Sequence, residues 1–501
     1  MGFAFPSGIF ASCASVHLVG IKGTGVCALA ELLHGAGMKI GGSDTPEVFH
    51  TDAILGELGI PFHDSFDRAH VGDGADLVIH SAAYGENNEE IAEARRKSIP
   101  VASYPQALGE YSRAFDSSGI AGVHGKTTTT AMCGCLMRAL ELPARILAGS
   151  AVPEFAKEGR VAKSTLVLGD KYFIAETCEY RRHFLHFRPK RIVLTSVESD
   201  HQDCFPTYES IRDAFVEYCG LIPKGGRLIY CADDPGACEV ADTVRKEGRN
   251  IDFVPYGFSA AGDYGLNSYQ IGEDGATFRV NAFGRELSLR LPGRHQALNA
   301  AAALALSGSL LTEEFGANGN WNSTRQAAAK TALARFSGSA RRSEVIGEAG
   351  GILFMDDYGH HPTAIAATLS GLRDFHRSRR IVVSFMSHTF SRTAALLEEF
   401  ARALAGADVL FLHKIYASAR ERFDGHIDGM SLHRKIENLR SDGRIPVLRY
   451  ADEPDDAFKP LTEILRPGDL FLTLGAGNNR SLGVRLFEHY RGMEPKTGSR
   501  E

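Results

Sequence analysis

The stretch Gly122-Val-His-Gly-Lys-Thr-Thr-Thr-Thr130 joins a glycine turn, a lysine and a run of hydroxyls, the residue types that bind a polyphosphate. The backbone N–H groups of such a turn face an anion, and a helix starting there adds positive potential. Lys126 can reach the terminal phosphates, and the Thr127 hydroxyl suits Mg²⁺. In the usual phosphate loop the first glycine stands five residues before the second. That position is Ile120 here, and the glycines Gly122 and Gly125 are three apart. The competing reading is a helix cap that contains Gly-Lys-Thr, but an apolar strand before it and a helical pattern after it favour nucleotide binding. Further polar clusters follow apolar runs: Glu176-Thr-Cys-Glu179, Glu198-Ser-Asp200-His201, Asp356-Asp357-Tyr358-Gly-His360-His361, Ser387-His388 with Arg392, Tyr416, and Gly475-Ala-Gly477-Asn478. Carboxylates and histidines at the carboxyl ends of strands lie where open α/β sheets bind ligands. One threonine, one glutamate and one histidine around a phosphate make a sensible Mg²⁺ set. Glu176 and Glu198 could instead be helix N-terminal charges, favourable through the helix dipole alone.

These positions need α/β elements. Gly119-Ile-Ala-Gly is a strand before the loop; Met132, Cys135, Leu136 and Ala139 then lie at i, i+3, i+4 and i+7 of a helix. Upstream, Val16–Val19 ends in Gly20-Ile-Lys-Gly23-Thr24-Gly25. A helix with Val26, Leu29, Ala30 and Leu33 follows, then a strand from Met38 to Gly42 ending at Ser43-Asp44. This is a Rossmann-like opening with an imperfect glycine pattern. Leu77–His80 leads into Ser81. Leu166–Leu168, Tyr172–Ala175 and Ile192–Thr195 are central strands, and Ile352–Met355, Ile381–Phe385, Val409–Leu412 and Leu470–Leu474 are later ones. Leu397, Phe400, Ala401 and Leu404 mark another helix face. Gly293-Arg-His295-Gln296-Ala-Leu-Asn299 is expected to precede an alanine-rich helix and either read a base or cap it. The fold class is α/β in three domains: 1–115 Rossmann-like, 116–333 a central P-loop-type ATPase domain, and 334–501 a C-terminal Rossmann-like domain.

A chain of 501 residues exceeds what one core usually serves. Its net charge of −6 argues against non-specific nucleic-acid binding. No apolar run reaches the ~20 residues of a membrane span. Residues 1–15 are expected to be a frayed leader without the basic region of a signal peptide. Pro6 stands where myristoylation would want Ser or Thr. Nine scattered cysteines suit reduced thiols in a cytosolic protein, with Cys133 and Cys135 as packing residues. No internal repeat is visible.

Taken together and in order, Gly20–Gly25, Gly42-Ser-Asp44, Val123–Thr130, Asp357-Tyr-Gly-His-His-Pro362, Ile415-Tyr-Ala-Ser-Ala-Arg-Glu421 and Gly475–Asn478 resemble the Mur ligase family. The resemblance spans nearly the whole chain. It implies an ATP-dependent amide ligase of peptidoglycan precursor synthesis, in the cytoplasm, that joins L-alanine to the lactyl carboxylate of UDP-N-acetylmuramate through an acyl phosphate. It implies ATP as co-substrate, Mg²⁺ (two ions), small-molecule partners and a monomer or weak dimer. Residue by residue, it places Gly122, Val123, His124, Gly125, Lys126, Thr127, Thr128, His295, Asn299, Arg342 and Asp357 at ATP. Gly20, Gly23, Thr24, Gly25, Asp44, Ser81 and His124 fall at the UDP-sugar, and His361, His388, Arg392 and Tyr416 at the amino acid. Thr127, Glu176 and His201 fall at the metal; Lys126, Glu176, His201, Arg342 and His360 take the catalytic roles. The chain departs from the family pattern at Gln296, Thr177-Cys178, Ser343, Ala364, Met386 and Ser387, which bears on substrate preference more than on the reaction. Ile211–Phe215 lacks the carbamoylated lysine of sister ligases, as does the alanine-adding branch. The alternatives are a ligase for a recycled murein tripeptide, a folylpolyglutamate synthase, against which the N-terminal Rossmann-like domain argues, and a non-catalytic nucleotide-binding regulator.

Overall fold

The computed structural model describes residues 3, 5–72, 74–272, 275–316, 321–417, 421, 423, 425–439 and 447–493. Ser418, Ala419 and Arg420 of the Ile415–Glu421 motif lie outside them. Among the described residues the strands form four sheets. The first is fully parallel, in the order Phe62–His63, Lys39–Ser43, Ser15–Val19, Leu77–His80, Val101–Ser103. The second has seven strands, in the order Asp252–Tyr256, Arg227–Cys231, Arg191–Leu194, Asp116–Ala121, Tyr172–Glu176, Ala144–Val152, Lys163–Val167, and only the last pairing is antiparallel. A small antiparallel sheet, Leu266–Gly272, Gly275–Val280 and Leu287–Leu289, follows. The fourth runs Glu344–Ala349, Ile352–Asp357, Asp469–Gly475, Arg380–Met386, Val409–Leu412, Val447–Tyr450, with the first strand antiparallel.

Strands covered by helices on both faces read as continuous apolar runs, and Ile352–Asp357 and Asp469–Gly475 are buried at every position. The helix after the phosphate loop, Lys126–Ala139, is buried along both faces from Thr127 to Met137. It lies between the seven-stranded sheet and helix Arg294–Phe315, whose alanines let two backbones approach closely. One apolar cluster runs from Phe5 to Phe336 through the first two sheets. The fourth sheet has its own clusters on its two faces.

Two expectations need correction, and one alternative falls away. Residues 1–15 are not frayed throughout: Phe5 and Phe10 are buried, and Phe3 stacks on Phe115 at 4.8 Å between ring centroids. Burying two aromatic rings and part of a third outweighs the entropy of ordering the segment. His295, Gln296 and Asn299 do not precede the alanine-rich helix but form its first two turns, Gly293 being the cap. Glu176 is the last residue of its strand, and Glu198 lies in a loop well ahead of the helix that begins at Tyr208, so neither is a helix N-terminal charge. Cys133 and Cys135 are buried packing residues, as expected, and all nine cysteines are free of disulfides. No helix of the described residues is long and apolar enough to cross a membrane.

Candidate functional site

The central and fourth sheets turn their strand ends toward one cleft of about 500 Å³. From the central sheet it is lined by Val123 to Thr128, Glu176, Glu179, Glu198, Asp200 and His201. Helix Arg294–Phe315 contributes His295, Gln296 and Asn299, and the C-terminal part contributes Arg342, Asp357, His360, His361 and His388. Arg392 and Tyr416 join it through His388: Arg392 donates to the His388 carbonyl at 2.7 Å, and the rings of Tyr416 and His388 stack at 6.0 Å.

The phosphate loop needs its glycines. Gly122 has φ +134° and Gly125 +80°, and a Cβ on Gly125 would lie 2.5 Å from Asn299 Oδ1. A side chain at Gly122 would meet the Thr195 hydroxyl. Both positions therefore demand glycine on conformation and on space. The three-residue glycine spacing thus builds a working turn, which Val123 N–H ties to the Ser196 carbonyl at 3.0 Å.

Lys126 Nζ donates to both oxygens of Glu179, at 3.2 and 3.0 Å, and to the Gly122 carbonyl. Burial alone would lower the Lys126 pKa, but Glu179, Glu176 and Cys178 hold it raised. Burial alone would raise that of Glu179, but Lys126 and His201 hold it down to about 2. Thr127 Oγ1 donates to Glu176 Oε2 at 2.8 Å. Adjacent ligands of an octahedral Mg²⁺ with bonds of about 2.05 Å stand about 2.9 Å apart, so this hard-oxygen pair fits the ion. His201 Nε2 faces Glu179 Oε1 at 3.3 Å and Asp200 Oδ2 at 3.7 Å rather than joining the Thr127–Glu176 pair. His201 sits at φ +53°, a conformation that costs a non-glycine residue energy and gathers at functional sites. Arg341 and Ser343, at +60° and +49°, flank Arg342 in the same strained region.

In the first turn of helix Arg294–Phe315, burial lowers the His295 pKa to about 4, which keeps the ring neutral. Gln296 bridges His295 and Asn299, at 3.0 and 3.2 Å. Asp357 spends its carboxylate on the backbone N–H groups of Ser343 and Gly359, both at 2.7 Å. His360 donates its Nδ1 hydrogen to the Tyr358 carbonyl at 2.8 Å, which leaves Nε2 as a lone pair. Burial, then Arg392 and His388, lower its pKa well below the usual value. Arg392 is buried with Nε on Asp200 Oδ1 at 2.7 Å, a bridge between the central and C-terminal sheets.

Of the expected UDP-sugar residues, His124 lines this cleft, whereas Gly20, Gly23, Thr24, Gly25, Asp44 and Ser81 are not among its lining and lie around the strand ends of the first sheet. Gly20 N–H donates to the Ser43 carbonyl and Ser81 N–H to that of Val19, both at 2.8 Å. Asp44 is buried, and its carboxylate accepts from Lys22 N–H at 2.7 Å and Thr45 N–H at 2.8 Å. Gly23 caps the helix that begins at Thr24, and a Cβ on Gly25 would strike the Tyr104 ring at 2.7 Å. The neighbouring loop faces the fourth sheet, since the charges of Arg341 and Arg480 reach His50. Glu179, Asp200 and Glu198 were missed as site residues. Glu179 carried a signal, a second carboxylate three residues past a strand-end glutamate.

Three domain profiles match the chain: "Mur ligase family, catalytic domain" over residues 15–116, "Mur ligase middle domain" over 120–307, and "Mur ligase, glutamate ligase domain" over 341–477. A UDP-N-acetylmuramate–L-alanine ligase of Treponema pallidum is 49% identical over 477 residues, covering 95% of this chain and 96% of the relative. The crystal structure of a UDP-N-acetylmuramate–alanine ligase from Thermotoga maritima superposes with a TM-score of 0.76 at 24% identity, covering 96% of this chain and all of that one. A murein peptide ligase from Psychrobacter arcticus superposes with a TM-score of 0.67 at 23% identity, again over 96% of this chain and all of the other.

Proposed function

The chain belongs to the Mur ligase family, and from that premise we propose that it is the ATP-dependent ligase that joins L-alanine to UDP-N-acetylmuramate, forming ADP and phosphate. The observation that carries this reading is the meeting of Lys126 and Glu176 from the central sheet with Arg342, His360 and His388 from the C-terminal part on one cleft. Phosphate activation and amine attack thereby share a site.

A carboxylate does not condense with an amine in water, because oxide is too poor a leaving group. A lactyl carboxylate oxygen attacks the γ-phosphorus of ATP in line, the bridging P–O bond to ADP breaks, and an acyl phosphate forms. Lys126 and Arg342 take the charge that develops on the transferring group. Mg²⁺, held by Thr127 and Glu176, would supply further neutralisation of the phosphates when bound, and His201, now on Glu179 and Asp200, would have to turn from them to join it. The amine of alanine then attacks the acyl carbon, the tetrahedral intermediate expels phosphate, and the nitrogen gives up a proton. A neutral His360, with its Nε2 lone pair free of the Tyr358 bond, is suited to take that proton. Arg392 and Tyr416 are assigned to the carboxylate and the rim of the amino-acid site, His295 and Asn299 to adenine, and Asp357 to the ribose. The Gly20–Gly25 loop, Asp44 and Ser81 are assigned to the UDP-sugar. Nine cysteines without disulfides suit a reducing cytoplasm, and a cleft lined from two sheets of one chain needs no second copy, which supports a monomer or weak dimer. We assign residues 1–115, 116–333 and 334–501 to sugar nucleotide, ATP and amino acid respectively.

Phosphate release with each component omitted in turn tests this. Release that needs ATP, Mg²⁺, UDP-N-acetylmuramate and L-alanine together, and falls about 10²–10³-fold in Lys126→Ala, is expected. Release with a murein tripeptide but not with alanine would move the protein to the recycling branch.

A further inference from the structure

Three side chains in the cleft have no part in the mechanism above as a group. His124 comes from the phosphate loop, Glu198 from the loop after strand Arg191–Leu194, and His361 from the C-terminal sheet. One ligand atom from each lies within 4.8 Å of the others. His124 Nε2 stands 2.6 Å from Glu198 Oε1, and His361 Nδ1 stands 3.7 Å from Glu198 Oε2. Tetrahedral Zn²⁺ with bonds of about 2.0–2.1 Å places its ligand atoms about 3.3–3.4 Å apart. The two observed separations bracket that value, so small side-chain movements seat an ion.

The surroundings are those of a metal ligand set. His361 points Nε2 at the Ser199 carbonyl, 3.2 Å away, which fixes the hydrogen there; its Nδ1 lone pair accepts from Thr363 N–H at 3.3 Å, a long bond that an ion must displace. A metal-binding histidine is normally oriented in this way by a carbonyl or carboxylate on its other nitrogen. Glu198 Oε2 is oriented by the Thr363 hydroxyl at 2.7 Å. Two imidazoles and one carboxylate, with a fourth position open, suit Zn²⁺ or Co²⁺, whereas Mg²⁺ prefers oxygen and keeps its waters.

We propose that His124, Glu198 and His361 form a binding site for a transition-metal dication, distinct from the Thr127–Glu176 pair, that ties the C-terminal sheet to the central one. Its ligands come from both sheets, so an ion there holds the cleft closed.

The test is Co²⁺ titration of the full chain after chelator treatment, followed by visible absorption with Mg²⁺ in large excess. One equivalent giving the intense ligand-field bands of tetrahedral cobalt is expected. The bands should vanish in His361→Asn and Glu198→Gln and persist in Glu176→Gln and His201→Asn, with circular dichroism checking each fold. Thr363→Val keeps all three ligands and should retain the bands while weakening Co²⁺ about tenfold, which guards against a ligand variant that fails to fold. A weak octahedral spectrum, displacement by Mg²⁺, bands lost in Glu176→Gln or His201→Asn but kept in His361→Asn, or unchanged affinity in Thr363→Val would overturn the proposal.

Discussion

Replacing Glu179 by Gln tests whether Lys126 is held by an internal counter-ion that a nucleotide must displace. The pair is nearly buried, with side-chain exposures of 12% and 3% and Nζ 3.0 and 3.2 Å from the carboxylate oxygens. Glu179 falls from an ordinary 4.5 to about 2 against the opposing effect of burial. At 1.36 kcal/mol per unit that net shift, the pull of Lys126 and His201 less the cost of burial, is roughly 3 kcal/mol, with Lys126 the first of the favourable causes. The acid is depressed, so this stability is complete above pH 4.5 and is lost as pH falls through about 2. At pH 7 the variant should therefore lose about 3 kcal/mol, in line with the ~3–5 kcal/mol typical of removing one partner from a buried pair. The same change frees the ammonium for phosphate. If the coupling passes wholly to the nucleotide, an ATP analogue with Mg²⁺ should bind up to ~100-fold more tightly, since 1.4 kcal/mol is tenfold. Trp321, the single tryptophan, donates to Tyr264 beside the central sheet at 3.2 Å, so its fluorescence follows urea unfolding there. A double-mutant cycle with Lys126→Met isolates the pair, and calorimetric titration measures the analogue. A coupling energy under about 0.5 kcal/mol, or an analogue that binds Glu179→Gln more weakly than the parent, would refute the reasoning.

Glu31 is buried on helix Thr24–Gly35 with Oε2 on the Thr165 hydroxyl at 3.1 Å, and burial raises its pKa to about 7. The folded state then holds a proton the unfolded chain has lost, so stability should fall by roughly 3 kcal/mol between pH 4.5 and 7. The difference between parent and Glu31→Gln urea curves should show that slope, and parallel curves would count against it. Gly125→Ala should cost about 1–3 kcal/mol from its left-handed backbone alone, plus a clash with Asn299, and should weaken ATP in equilibrium dialysis; parental affinity would mean the loop yields freely. Binding of an ATP analogue and UDP-N-acetylmuramate should compact the molecule by exclusion of water from an acyl phosphate. Small-angle scattering profiles that do not change on adding both would sink that expectation.

The strands that carry chemistry were legible because buried parallel strands are continuous apolar runs: Leu77–His80 and Val409–Leu412 coincide with the expectation, Arg191–Leu194 is shifted back by one residue, and others extend it by a residue or two. Edge strands were not. Val447–Tyr450 and Glu344–Ala349 are only partly buried, so neither shows a clean period of two or an apolar run; the interior strand Ala144–Val152 was hidden instead by the glycine that interrupts it. Helix Arg294–Phe315 hid its start because alanines carry no amphipathic period, so nothing marked His295 as already helical. The buried aromatic segment at Phe3, Phe5 and Phe10 was missed for another reason, since its partners Tyr111 and Phe115 lie a hundred residues away.

What composition and spacing could not reveal is how the charged groups pair. Three charged side chains assigned to substrates already have an internal partner: Lys126 on Glu179, Arg392 on Asp200, and Asp357 on two backbone N–H groups. Burying an unpaired charge costs several kcal/mol, so a cleft able to receive ATP, a sugar nucleotide and an amino acid must keep its charges compensated while it waits. Glu179 and Asp200 serve that need, and they do so from the loops that also carry Glu176 and His201. The extra carboxylate beside each expected ligand is therefore a requirement of solvation rather than an accident of sequence. It predicts that substrate affinity is set by exchange of partners, which makes Glu179 and Asp200 the positions where removing charge should tighten binding while lowering stability.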